Sequence, residues 1–215
     1  MTKPEFKFKS KRQKQKVFIE EEIKQKCIEA LKYTDYAQAL LDLFRYFSIR
    51  YKEEELKEIP LYIIFEDGKS MGNIIDNKLP EFLTKYSIFT FVHGGVYDVD
   101  NVNKDNPYYS CEGKSSTGNF PVGAKTNAGL EKKSDNIIGK YIENEDGTHF
   151  CTFVSYRIDK ENHDYFIQDI WLGIIKPSDW KYSSSKASGS ANISSKVFYR
   201  KFLKIYDWQK GKLYN

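Results

Sequence analysis

The sequence predicts a mixed α/β fold (α+β-like), a central mixed sheet with flanking helices. Three observations predict it. Apolar residues recur at helical spacing near the N-terminus, short apolar runs of strand length follow, and clusters of Gly, Asn and Ser separate those runs. With 215 residues and neither an internal repeat nor a linker-like composition shift, the chain reads as one domain with a buried core.

Residues 1–16 form a basic tail, with seven bases (Lys3, Lys7, Lys9, Lys11, Arg12, Lys14, Lys16) against Glu5. Residues 17–58 read as helical. Ile19, Ile23, Cys27 and Leu31 share one face of a helix over 17–32, and Tyr36, Ala37, Leu40, Leu41, Phe44 and Phe47 stripe a second over 35–50. Residues 59–175 read as the sheet core. "IPLYIIF" (59–65) is a buried strand closed by the turn "EDGKSMG", and "LPEFLTKY" a short helix with Pro80 in its first turn. "SIFTFV" (87–92) is a strand running into "HGG", and "THFCTFVSYRI" (148–158) and "DYFIQDIWLGII" (164–175) are two more, the second stopped by Pro177. Residues 182–195 are a Ser/Gly/Asn loop. "KVFYRKFLKIYDW" (196–208) reads as a basic amphipathic helix leading into the C-terminal tail, so that 196–215 is helix and tail.

Composition excludes several classes. No apolar run approaches the roughly 18–20 residues of a spanning helix, so no membrane partner is expected. The N-terminus lacks an apolar signal segment, and Cys27, Cys111 and Cys151 are odd in number and far apart, which predicts free thiols and a cytoplasmic protein. His93, His149 and His163 lack ligand spacing, and neither a P-loop, a dinucleotide fingerprint nor a nucleophile elbow is present. Both ends are basic, residues 176–215 holding nine bases against Asp179 and Asp207, which favours a phosphate-bearing partner.

The chemistry concentrates in a hairpin, "VYDVDNVNKDNPYYSCEGKSSTG" (96–118). Side chains alternate along a strand, so Asp98 and Asp100 share one face of the first arm and Glu112 and Lys114 one face of the second. With a turn centred near Asp105, position 98 lies opposite 112. Such a group suits phosphodiester hydrolysis. Carboxylate oxygens hold Mg²⁺, which neutralises the phosphate and activates a water, while the lysine orients that water and stabilises developing charge. Spacing alone does not decide this, because Glu-x-Lys also occurs at Glu5/Lys7, Glu22/Lys24, Glu55/Lys57 and Glu131/Lys133. A solvent-facing hairpin with a cross-strand ion pair is the alternative.

"GGVYDVD" and "CEGKSST", followed in order by the segments downstream, resemble the PD-(D/E)xK nucleases and, among them, the EcoRV-like type II restriction endonucleases. The resemblance spans roughly residues 91–205, although Tyr97 stands where the family usually has Pro. It implies a restriction-endonuclease-like core with Asp98 and Glu112 as metal ligands and Lys114 as the catalytic lysine, Asp100 remaining the alternative first ligand. It implies Mg²⁺ as cofactor and Asp42 as a candidate assisting acid. DNA contacts are expected from His93, Gly94 and Gly95; from Ser116, Thr117, Lys125, Thr126 and Asn127; from Lys186, Ser188, Gly189, Ser190, Asn192 and Ser194 in the base-reading loop; and from Arg200 beside it. The expected activity is cleavage of double-stranded DNA at a short palindrome by a homodimer, with the N-terminal helices at the dimer interface, leaving 5′-phosphate and blunt ends. The rivals are a structure-directed repair or resolvase nuclease on the same core, and a non-catalytic DNA-binding protein.

Overall fold

The computed structural model describes residues 18–53, 68–94, 99–117, 120, 122–124, 148–159, 164–182 and 190–214. The basic tail and the strand expected over 59–65 lie outside these residues. Among these residues three helices come first: α1 (Glu21–Leu31), α2 (Tyr36–Glu53) and α3 (Gly68–Lys85). The strands are β1 (Phe91–His93), β2 (Asn101–Asn103), β3 (Cys111–Ser116), β4 (Val122–Ala124), β5 (His149–Asp159), β6 (Asp164–Ile175), β7 (Trp180–Tyr182) and β8 (Ser190–Ile193). A short helix, α4 (Ser195–Lys201), precedes β9 (Phe202–Asp207) and β10 (Gly211–Lys212).

The result is the expected mixed α+β architecture, built on a seven-stranded sheet of order β1-β2-β3-β5-β6-β9-β10. Among the described strands only β3 and β5 pair in parallel within it; every other neighbouring pair is antiparallel. A second sheet of order β4-β8-β7 is separate.

Apolar burial divides on the two faces of the large sheet. One cluster joins Ile23, Cys27, Leu40, Leu43, Phe44, Ile75, Leu79 and Leu83 of the three helices to Phe150, Val154, Ile170 and Leu172 of β5 and β6. This is where the stripes expected on the first two helices are spent. A smaller cluster on the opposite face joins Cys151, Phe153 and Phe202 to Trp180, Ile193 and Phe198, tying the small sheet and α4 to the large one. In that cluster Phe198 stacks on Phe202 with centroids 4.6 Å apart.

Four local expectations are corrected. The stretch read as a turn and a short helix is one continuous helix, α3, with Pro80 inside it. Ile75, Leu79, Phe82 and Leu83 are all buried there. Tertiary burial of that stripe outweighs the missing Pro80 donor. The strand expected over 87–92 is confined to Phe91–His93, because Ser87 is used differently: its Oγ donates to the Tyr33 carbonyl and accepts from Phe89 N–H. The helix expected over 196–208 stops at Lys201, and Phe202–Asp207 pairs antiparallel with β6. The segment fits a helical stripe, but a free sheet edge captures its bonding groups. Finally, the loop expected over 182–195 contains a strand, since Ser190–Ile193 pairs with both β4 and β7.

Gly173 of β6 lies opposite Phe202 in the β6–β9 register. A Cβ added there would fall 2.5–2.7 Å from the Phe202 ring. Gly173→Ala is therefore expected to destabilise by about 1–3 kcal/mol. At roughly 2–4 °C per kcal/mol, calorimetry should show a fall in Tm of several degrees. Gly72, inside α3 with open space around it, is the control: Gly72→Ala should hold or raise Tm.

Candidate active site

The hairpin connection is built by asparagines. Asn103 Oδ1 accepts from the N–H groups of Asp105 (3.0 Å) and Asn106 (2.8 Å). Asn106 Oδ1 in turn accepts from Tyr108 N–H at 3.2 Å, capping the 3-10 turn Pro107–Tyr109. Ser110 Oγ accepts from Asn103 N–H at 2.9 Å and closes the connection. The centre is thus Asn106, and the register pairs Asn101 with Cys111. One step further out, Asp100 stands abreast of Glu112. The centre expected at Asp105 is corrected by one residue, which displaces the facing position by two; Asp98 lies outside the described residues.

Three of the candidate side chains converge. Lys114 Nζ lies 2.6 Å from Glu112 Oε1 and 3.1 Å from Asp100 Oδ2. Backbone groups fix both carboxylates: Asp100 N–H donates to Glu112 Oε2 at 3.1 Å, and Gly113 N–H donates to Asp100 Oδ2 at 3.0 Å. Gly94 N–H donates to the Asp100 carbonyl at 2.9 Å, so the "HGG" segment helps place this acid. From β5, Thr152 Oγ1 donates to the Glu112 carbonyl at 3.3 Å.

Packing explains why glycine separates Glu112 from Lys114. A Cβ at Gly113 would lie 2.9 Å from Ile75 Cγ2 and 3.2 Å from Leu79 Cδ2, so α3 packs directly on the strand's other face. Glu112 is 5% exposed, which makes the electrostatics strong. Burial pushes its carboxyl up, but the Lys114 and His149 charges and the hydrogen bonds from Lys114 and Asp100 N–H outweigh it, holding the group at about 2. Burial likewise pushes the Lys114 ammonium down, and the charges of Glu112 and Asp100 carry it above the ordinary range. Cys111 and Cys151 are held protonated by burial, so neither is a nucleophile here.

Among the described residues, no three His, Cys, Asp or Glu side chains form a metal cage. Asp100 and Glu112 nonetheless fit Mg²⁺, which takes one or two carboxylates and keeps several waters. Two carboxylates against one ammonium leave a formal negative charge that a divalent cation would neutralise.

The remaining expected residues are dispersed. His93 is exposed at the end of β1, opposite Asn101. Ser116 ends β3, and the Thr117 carbonyl accepts from Arg157 Nη1 at 3.2 Å. Asn192 is exposed on β8 opposite Val122 and Lys181, and Ser190 lies opposite Ala124. Ser194 caps α4 by accepting from Val197 N–H. Arg200 pairs with Glu20 at 2.6 Å and so joins α4 to the start of α1. Asp42 accepts from Tyr86 Oη and Gln38 and pairs with Lys85, which ties α2 to the end of α3. Gly95, Lys125, Thr126, Asn127, Lys186, Ser188 and Gly189 lie outside the described residues.

A family model described as ScaI restriction endonuclease matches residues 51–206, well over half of the chain and the stretch that contains this site. The chain belongs to the ScaI restriction endonuclease family. Membership supports a type II restriction enzyme, a nuclease whose substrate is DNA. No curated protein and no solved structure matches the chain. In this endonuclease Asp100 is, among the described residues, the first-arm acid that meets Glu112 and Lys114. Sequence reasoning missed Thr152 and His149 beside it; the alternation in "THFCTF" marks their faces, but only the β3–β5 register brings them to Glu112.

The coupling between the pair is measurable. Lys114→Met removes the charge that offsets burial, so the Glu112 carboxyl should titrate above the ordinary carboxylate range when followed by ¹³C NMR. An unchanged titration would contradict the pairing. In the wild type the depressed group adds stability above pH about 4.5, its unfolded value, and that stability is lost as pH falls towards about 2.

Proposed function

We propose that the protein is a site-specific, Mg²⁺-dependent type II restriction endonuclease of the EcoRV-like PD-(D/E)xK group. One observation carries the reading: the carboxylate just ahead of β2 and the one on β3 meet the Lys114 ammonium within hydrogen-bond distance. Asp100 and Glu112 would hold the metal, with Asp98 the alternative to Asp100 that the register disfavours. When bound, Mg²⁺ supplies charge neutralisation at the phosphate and a water of lowered pKa. Lys114 donates to the attacking water or a phosphate oxygen and offsets the charge that develops in line with the leaving 3′ oxygen. The backbone N–H groups of Asp100 and Gly113 keep the carboxylates oriented while this happens. The products are 5′-phosphate and 3′-hydroxyl ends, blunt in the expected case.

A palindromic site is read by a two-fold dimer, each subunit cutting one strand. The N-terminal helices would meet the second subunit through the faces they do not spend on the core. Base contacts come from residues 186–194, including Asn192, exposed on β8, with further DNA contacts from His93, Gly94 and Gly95, from 116–127 and from Arg200.

The test is digestion of a plasmid of known sequence with Mg²⁺ and mapping of the ends. Discrete fragments are expected. Lys114→Ala and Asp100→Asn should each reduce the rate by about 10²–10³-fold or more, and Asp98→Asn should reduce it far less. Random nicking, or full activity in Asp100→Asn, would contradict the assignment.

A further inference from the structure

We propose that His149 is a positioning residue for the Glu112 carboxylate, steadying it from the β5 side in the orientation that accepts a divalent cation. This rests on the metal-dependent reading above.

The strand register carries the argument. β3 and β5 run parallel with Cys111 beside Phe150 and Glu112 beside Cys151. Alternation puts Phe150 among the helices of the larger apolar cluster and Cys151 on the opposite face. His149 shares that second face with Cys151 and Glu112, one alternation before Cys151. It is half-buried at the first position of β5, where its ring is not enclosed as Cys151 is. When protonated, its ring adds to the pull that lowers the Glu112 carboxyl.

The described hydrogen bonds to this carboxylate come from the β2 side or from β3 itself. Asp100 N–H takes Oε2, and Lys114 takes Oε1. Lys114 cannot serve as the permanent anchor, because a cation between Asp100 and Glu112 competes with its ammonium for the same oxygens. Once that happens, the Asp100 N–H and the β5 side remain. Cys151 is a buried thiol that burial keeps protonated, a weak donor at best. His149 is the neighbour with a ring N–H to donate. Groups that orient a metal-binding carboxylate in this way typically contribute about 10–100-fold in metal affinity.

Manganese binding to the full-length protein without DNA, followed by the EPR signal of free Mn²⁺, tests this apart from cleavage. His149→Leu should raise the dissociation constant about 10–100-fold. Its metal-free, salt-dependent DNA affinity should match wild type, which a residue needed only for packing would not allow. His149→Gln keeps an N–H donor and should recover much of the affinity; it also serves if the leucine variant does not fold. Wild-type Mn²⁺ affinity in both variants would overturn the role of His149. Loss of Mn²⁺ affinity in His149→Leu together with loss of its metal-free DNA affinity and no recovery in His149→Gln would overturn it too, in favour of a packing role. If the wild type takes up no Mn²⁺, or Asp100→Asn binds as well as wild type, the metal-dependent reading falls and this inference with it.

Discussion

The Asn103 side chain sets the register on which the site depends. By accepting from two successive N–H groups it forces the chain to reverse around Asn106, and the capped 3-10 turn that follows leaves Cys111 opposite Asn101. Side chains in a strand alternate with a period of two, so a slip of one residue would send Asp100 to the helix-packed face. A slip of two would restore the face but move the acid out of reach of Lys114. Asn103 is itself fully buried and is further fixed by Ser110, so the turn is a rigid element of the sheet.

Two apolar layers then make the chemistry strong. On the helix side, Ile75 and Leu79 of α3 press against Gly113, leaving no room for a side chain between Glu112 and Lys114. On the other side, Cys151 and Phe153 continue into the cluster beneath α4 and the small sheet. Glu112 and Lys114 are therefore largely removed from water, and each remains charged because of the other. In the proposed reading, this paired site with its formal negative charge would take a hard cation.

The sequence made the residue types at the site legible and left their arrangement undetermined. Alternation placed Asp98 with Asp100 and Glu112 with Lys114, but the choice between the two aspartates lay in a turn whose side-chain hydrogen bonds have no periodic signature. The long strands at 148–158 and 164–175 were visible because continuous apolar runs of that length suit a sheet buried on both faces. The misread segments were decided by tertiary contacts. Phe202, Leu203 and Ile205 fit a helical stripe locally, yet β6 offers them a sheet edge. Pro80 signals a helix start locally, yet Ile75 and Leu79 extend the buried face of α3 across it. His149 and Thr152 were invisible as site residues for a related reason, since a parallel pairing joins segments far apart in the chain.

The central claim is that Asp100 and Glu112 together form the metal site of a DNA-cleaving enzyme. Anomalous diffraction from crystals of the protein with DNA and Mn²⁺ tests it most directly. The account predicts a peak within about 2.0–2.3 Å of an oxygen of each carboxylate, with the Lys114 ammonium displaced towards the phosphate. A peak coordinated by Asp98 in place of Asp100, or none near Glu112, would contradict it.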